Sequence, residues 1–446
     1  MIEQEERPAK WYDGSAILIK LGIIAVIILA LLIPSAWIQD LVTEREGYQQ
    51  KMVDQVSENW AGNQLIQGPV LALPYKEQIQ VTSTDKKVTT HEETYTLYVL
   101  PQDLKIKANV KTDQFERGIY DATVYNSKID LQGTFNKPDL TGLGIDAASI
   151  MYDKARLVFG ISDMNGLKNN PTVKINSQDY NPEPAAGGNI PFEKGLQVHF
   201  AMQRDSGFAF SYQLDMKGSN ELNFLHLGKT TDVEVTSDWA HPDFNGSRLP
   251  DSRTVNKSGF NAKWHMIYYK RPFPQQWAND DSVLTNPKVK ADAVVGVKLH
   301  LPIDQYRKVM RTTKYSTLII LLTFVSLFLT EVIRKQRIHL FNYTLIGAAM
   351  IVYYTLLLSL SEQTGYNWAY LISSVSTIGL ISWFTSSLLK NGGAAVLFSG
   401  ILTLFYGFIF VIIQLEELSL LVGSIALFIV VAALMYFSRK INWDQH

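Results

Sequence analysis

Two hydrophobic periodicities divide the chain. Long apolar stretches run Ser15–Ile38, Tyr315–Ile333, Phe341–Leu360, Asn367–Leu389, Ala394–Gln414 and Leu418–Phe437. Each is about the length a helix needs to cross ~30 Å of hydrocarbon at ~1.5 Å per residue. Between the first and second stretch, period-two alternation takes over. Leu104, Ile106, Ala108 and Val110 alternate with Lys105, Lys107 and Asn109, and Phe208, Phe210, Tyr212 and Leu214 with Ala209, Ser211 and Gln213. Tyr95, Leu97 and Val99, and later Val295, Val297, Leu299 and Leu301, repeat the pattern. Strands of this kind have one wet face and one buried face, as in antiparallel sheets. Gly207, Gly218, Asn245-Gly246 and Ser258-Gly259 read as turns between them. The Pro- and Gly-rich segment Asn181–Pro191 reads as a loop and a boundary between two β-lobes. Leu41, Tyr48, Met52, Val56 and Trp60 recur at helical spacing, so the first apolar helix continues as an amphipathic stem over residues 39–61.

These patterns predict an α+β membrane protein. A tail, residues 1–14, precedes a single N-terminal transmembrane anchor at 15–38. A large antiparallel β-rich, sandwich-like domain occupies 39–314, stem included. A C-terminal five-helix transmembrane bundle follows at 315–333, 341–360, 367–389, 394–414 and 418–437, with a tail at 438–446. The first stretch is read as an uncleaved anchor, because its flank (Glu3, Glu5, Glu6, Asp13) is acidic and its exit, Ile33-Pro34-Ser35-Ala36, lacks a signal-peptide cleavage pattern. Lys20, about one turn inside, is expected to snorkel to the headgroups.

Charge sets the expected orientation. Arg334, Lys335, Arg337, Lys390, Arg439 and Lys440 fall on one side if the helices alternate. The opposite short loops carry only Glu362, Glu416 and Glu417. The positive-inside rule then makes both termini cytoplasmic and residues 39–314 periplasmic. Arg307, Lys308, Arg311 and Lys314 dissent from this pattern, and a short helix over Ile303–Thr313 would lay them on anionic headgroups. An ordinary solvated linker is the alternative.

The net charge of −1 argues against a nucleic-acid partner. The absence of cysteine rules out disulfides, thiolate metal sites and cysteine nucleophiles. The densest functional-group cluster is Trp239-Ala240-His241-Pro242-Asp243-Phe244-Asn245-Gly246. His241 and Asp243 could serve as base and orienter or as metal ligands, but spacing supplies no nucleophile and no third ligand. Turn chemistry and sheet-edge hydrogen bonding account for the same residues, which makes the cluster a candidate interaction loop. Gly228-Lys229-Thr230 lacks the earlier glycine of a phosphate loop, since position 223 is Asn223. Glu331 sits near the basic loop 334–337 and reads as half of an interfacial ion pair with it. Ser373, Ser374, Ser376, Thr377, Ser382, Thr385, Ser386 and Ser387 give one helix a polar stripe suited to close helix packing or to lining a pore.

The order of motifs resembles the CreD family of bacterial inner-membrane, cell envelope integrity proteins. The resemblance rests on Leu31-Leu32-Ile33-Pro34, Glu44-Arg45, Gly68-Pro69-Val70-Leu71-Ala72-Leu73-Pro74, Arg117-Gly118-Ile119-Tyr120 and Gly160-Ile161-Ser162-Asp163. It continues through Ser237-Asp238-Trp239-Ala240-His241-Pro242-Asp243-Phe244, Ser258-Gly259-Phe260, Asp304-Gln305-Tyr306, Arg311-Thr312-Thr313-Lys314-Tyr315, Ser361-Glu362-Gln363-Thr364-Gly365 and Ile441-Asn442-Trp443. The acidic extension Met1–Tyr12 departs from the family pattern. The resemblance implies a non-enzymatic inner-membrane protein of a Gram-negative bacterium, with a role in envelope integrity and the β-lactam stress response. It carries over no catalytic residue and no cofactor. The expected partners are the lipid bilayer and envelope proteins or cell-wall glycan. A lipid or solute transporter using the helix bundle and an envelope hydrolase around His241 and Asp243 are the alternatives.

Overall fold

Strand alternation and apolar runs fold into separate bodies. The computed structural model describes residues 12–82, 88–117, 120–185, 190–280, 282–299, 304–334, 338–389, 392–415 and 419–438. The expectations for the two tails (1–11 and 439–446), Leu301, Ile303, Lys335–Arg337, Lys390, Glu416 and Glu417 fall outside them. The chain divides into two compact units, residues 51–301 and residues 1–50 with 302–446. One helix, α1 (Tyr12–Trp60), runs unbroken through the apolar anchor and the amphipathic stretch beyond it.

The unit 51–301 is a two-sheet β structure. Its strands are β1 (Gln64–Thr82), β2 (Val88–Val99), β3 (Asp103–Arg117), β4 (Tyr120–Phe135), β5 (Ala155–Ile161), β6 (Val173–Ile175), β7 (Gln178–Tyr180), β8 (Glu183–Pro184) and β9 (Gly195–Phe200). They continue as β10 (Phe208–Ser219), β11 (Glu221–Leu225), β12 (Thr230–Ser237), β13 (Asp243–Gly246), β14 (Ser252–Asn256), β15 (Gly259–Ile267), β16 (Gln276–Ala278) and β17 (Val294–Lys298), with a short helix α2 (Pro287–Ala291) before the last. One sheet runs β13-β17-β11-β1-β5-β9-β8, with β2 joining β1 to β16; the other runs β14-β15-β12-β3-β4-β10-β6-β7.

The apolar faces of the two sheets meet in one core. Leu104, Ile106, Ala108 and Val110 of β3 and Phe208, Phe210, Tyr212 and Leu214 of β10 are all buried in it. Aromatic pairs bridge the sheets: Phe159 stacks on Tyr212 at 4.6 Å, and Phe244 meets Phe260 edge-on at 5.6 Å.

Three expectations are corrected. The sheets are mixed rather than antiparallel, since β1 pairs parallel with β11 and β3 parallel with β12. Alternation reports which face of a strand is buried but not the direction of its neighbour, and these partners are far apart in sequence. Asn181–Pro191 is no lobe boundary, because β5 before it pairs with β9 after it and β6 pairs with β10. Gly218 and Asn245-Gly246 lie inside β10 and β13 rather than in turns. Gly218 is needed for close approach, as a Cβ there would lie 2.3 Å from the Tyr125 hydroxyl. Gly246, at φ +95°, lets β13 end hard against Val294.

The last turns of α1 belong to this unit. Val56 packs with Ala122 and Val124 of the β3–β4 hairpin, Ser219 Oγ donates to Ala61 O at 2.8 Å, and Lys217 Nζ sits 5.0 Å over the Trp60 ring.

The second unit is helical: α3 (Asp304–Lys314), α4 (Ser316–Arg334), α5 (Leu340–Thr364), α6 (Tyr366–Leu389), α7 (Gly392–Gln414) and α8 (Ser419–Ser438), with the first part of α1. Among the described residues, four helices are long and apolar enough to cross a membrane: α1, α5, α6 and α7. A fifth span results if α3 and α4, bent by 42° at Tyr315, are counted as one.

Candidate functional site

The loop singled out in the sequence has defined local roles. Ser237 ends β12, and its Oγ accepts from the Trp239 backbone N–H at 3.2 Å. The Trp239 indole is buried, and its Nε1 donates to the His241 carbonyl at 2.9 Å. That bond turns the chain outward at Pro242. Asp243 and Phe244 then enter β13, paired with Lys298 and Val297 of β17. His241 and Asp243 are both exposed, while the half-buried Phe244 ring packs on Phe260 and Trp264. Asp238 Oδ1 accepts from the Thr112 N–H and hydroxyl at 2.9 and 2.8 Å. Among the described residues, no group of three or more His, Asp or Glu could hold a metal ion.

The same unit buries a polar cluster that alternation did not mark. His226 lies between Leu225 and Leu227, almost fully enclosed, with Nε2 3.4 Å from Ile267 O and no partner for Nδ1 among the described residues. Burial pushes its pKa down to about 4, and the nearby Arg271, Arg248 and Lys270 charges act in the same direction. Arg271, also buried, donates to the carbonyls of Leu227 and Phe273 and to Gln275 Oε1, and burial lowers its pKa to about 10. Gln275 in turn donates to Leu100 O at 2.6 Å. This network ties the β15–β16 connection to the sheets. A lone His between leucines gives no sequence signal of it.

In the helical unit, α3 carries the basic cluster. Tyr306, Val309, Thr312 and Thr313 are buried, while Arg307 and Lys314 are exposed and Lys308 and Arg311 half-buried. The buried side meets the ends of neighbouring helices. The Tyr306 hydroxyl donates to Glu362 Oε1 at 2.9 Å, Thr312 Oγ1 bonds the Tyr366 hydroxyl at 2.7 Å, and Arg311 Nη2 donates to Ile412 O at 3.4 Å. A guanidinium at the carboxyl end of α7 also complements its helix dipole.

Lys20 and Glu331, expected at headgroups and beside the basic loop 334–337 respectively, form an ion pair with each other; Lys335–Arg337 lie outside the described residues. Lys20 Nζ bonds Glu331 Oε1 and donates to Ile338 O at 2.7 Å. Glu331 also accepts from the Tyr343 hydroxyl at 2.9 Å and from Ile338 N–H at 3.2 Å. Both groups belong to apolar helices, where two opposite charges meeting each other cost less than either alone.

The polar stripe of α6 divides by face. Ser373, Ser374, Thr377 and Thr385 are buried, while Ser376, Ser386 and Ser387 are exposed and Ser382, half-buried, accepts from Ser399 Oγ at 2.6 Å. Beside the buried face lie Tyr353 and Tyr354 of α5 and Tyr406 of α7, which the sequence reading missed. The visible signal was a Tyr-Tyr pair in the middle of an apolar helix.

The family model described as inner membrane protein CreD matches residues 16–444. The chain is 29% identical to inner membrane protein CreD of Escherichia coli strain K12 over 423 residues, covering 93% of this chain and 91% of that protein. Among solved structures, an M1 zinc metallopeptidase from Deinococcus radiodurans and a point mutant of the same enzyme give TM-scores of 0.21 and 0.22 at 9% and 10% identity. They cover 49% and 50% of this chain and 53% and 54% of theirs, and carry no argument about fold or chemistry. With nearly its whole length matched, the chain belongs to the CreD family of multi-pass inner-membrane proteins.

Proposed function

We propose that this protein supports cell envelope integrity and the response to envelope and β-lactam stress without catalysing a reaction, and that it acts through a β domain on the periplasmic side. The observation that carries the reading is the use made of the 239–246 loop. Its indole bonds its own chain, its aspartate opens a paired strand, and its imidazole is left in solvent. The domain instead offers surface. Edge strand β14 is exposed along its length, and Tyr269, 91% exposed, adjoins Tyr268 at a ring distance of 5.8 Å. Such a face suits envelope proteins or cell-wall glycan. Arg307, Lys308, Arg311 and Lys314 are proposed to contact anionic headgroups, since Arg307 and Lys314 are exposed on the side of α3 opposite its buried residues.

The test uses a deletion strain and the full-length chain. Survival under β-lactam and detergent is scored for the unaltered protein, for His241→Ala with Asp243→Ala, and for Tyr269→Ser. The reading expects rescue by the first two and weakened rescue by the third. A folded His241→Ala, Asp243→Ala variant that fails to rescue would move an envelope hydrolase ahead. Because the chain lacks cysteine, Tyr269→Cys and Gln336→Cys also report topology through an impermeant maleimide. Labelling of position 269 and not 336 in intact spheroplasts is expected, and the reverse pattern would sink the periplasmic assignment. Transport of a lipid or solute remains the second reading, favoured by the hydroxyl groups of the helical unit.

A further inference from the structure

Within the helical unit, three helices bring tyrosine and serine side chains together at mid-depth. Tyr353 contacts Tyr354 at 4.8 Å, Tyr406 at 4.9 Å and Tyr370 at 6.1 Å between ring centroids, all three nearly perpendicular. Ser374 of α6 sits beside the hydroxyls of Tyr353 and Tyr370. The hydroxyls of Tyr354 and Tyr406 are buried and complete no hydrogen bond among the described residues, while those of Tyr353 and Ser374, also buried, approach each other without closing a bond of good geometry. The buried Ser373 hydroxyl, next along α6, likewise completes none among the described residues.

Their depth follows from helix geometry. Tyr353 stands 11 residues before the end of α5 at Thr364, and Tyr406 stands 8 before the end of α7 at Gln414. At ~1.5 Å per residue these are about 16 and 12 Å from the helix ends, close to the middle of a ~30 Å hydrocarbon layer. Lipid offers no hydrogen-bond partner there, and a buried hydroxyl without one is costly. Three phenols and a serine in one place multiply that cost, so packing alone is a poor reason to gather them; phenylalanine and alanine would fill the space without it. Hydroxyls both donate and accept, and no described charge enters the cluster. The guest they suit is small, neutral and able to donate and accept at once.

We propose that Tyr353, Tyr354, Tyr406 and Ser374 form a water-binding site at the midplane of the bundle. The site is supplied from the α3 end. Thr312 bonds Tyr366, the Tyr366 ring adjoins that of Tyr370 at 5.7 Å, and the Tyr370 hydroxyl donates to Tyr406 O at 2.7 Å. Two hydrogen bonds, joined by one ring contact, thus lead from the basic helix to the cluster. The reading is independent of the proposed envelope role, and it makes the bundle more than an anchor.

The test is X-ray radiolytic footprinting of the full-length protein in nanodiscs, read by mass spectrometry. Bound water generates hydroxyl radical in place and marks side chains that bulk solvent cannot reach. Tyr343, buried and bonded to Glu331, and Tyr125, buried and bonded to Glu221 O, are the controls. Modification of Tyr353, Tyr354 and Tyr406 several-fold above both controls is expected. Modification at the control level overturns the site. Melting temperatures of Tyr353→Phe and Tyr406→Phe give an independent reading. Loss of a hydrated hydroxyl lowers the melting temperature, whereas a rise means that the hydroxyls were dry and unpaired, which also overturns the proposal.

Discussion

Lys20 and Glu331 form a salt bridge that closes across 311 residues of sequence and ties the N-terminal helix to α4. Tyr343 and Ile338 also bond the carboxylate, so the pair holds α5 and the residue two before it to α4. The bridge predicts an asymmetry between single and double variants. Lys20→Met or Glu331→Leu leaves one charge without its partner among apolar helices and should cost about 2–3 kcal/mol, somewhat below the ~3–5 of a fully enclosed pair, because the Lys20 side chain is 21% open. The double variant should recover most of that loss. Thermal unfolding of the three proteins in one detergent measures it; additive losses would show that the pair is not coupled.

The Tyr125 hydroxyl donates to Glu221 O at 2.8 Å and joins the two sheets over Gly218. Burial holds its pKa well above the ordinary phenol value, so it stays a donor at every accessible pH. Gly218→Ala should destabilise the β domain by about 2–3 kcal/mol through steric displacement of the ring. Tyr125→Phe should cost about 1–2 kcal/mol through the unpaired carbonyl. Resistance to proteolysis in urea reports both, and a neutral Gly218→Ala would mean that the ring has room to move.

His226 predicts acid sensitivity. Its pKa falls from 6.5 to about 4 on folding, so between those values the unfolded chain binds more protons. Stability contributed by the neutral imidazole is complete above pH 6.5 and is lost as pH falls toward 4, to a total of about 3 kcal/mol. His226→Gln should flatten the fall in unfolding midpoint between pH 7 and 4, followed by tryptophan fluorescence. An unchanged acid slope would place the sensitivity elsewhere.

Trp239→Phe should cost about 1 kcal/mol by removing the bond to His241 O, whereas His241→Ala should stay within about 0.5 kcal/mol because the imidazole is exposed. Chemical denaturation of both distinguishes the structural indole from the solvent-facing imidazole. A large loss with His241→Ala would contradict that division.

The sequence by itself determined what each residue does with water. Runs such as Phe341–Leu360 can hide their backbone only in a helix, and Leu104–Val110 can bury one face only as a strand, since both patterns follow from local geometry. Tertiary structure decided which buried groups meet. Alternation placed β3 in a sheet but could not make β12 its parallel neighbour, because strand direction depends on how distant connections cross. Along the chain Lys20 pointed to the headgroups and Glu331 to the basic loop at 334–337, and only packing brought the two side chains to each other. Gly218 read as a turn because its reason for being glycine, the Tyr125 hydroxyl, arrives from another strand. The tyrosines at 353, 354 and 406 lay unremarked inside apolar runs, and only the packing of α5 against α7 put their rings together, with hydroxyls buried where lipid supplies no partner.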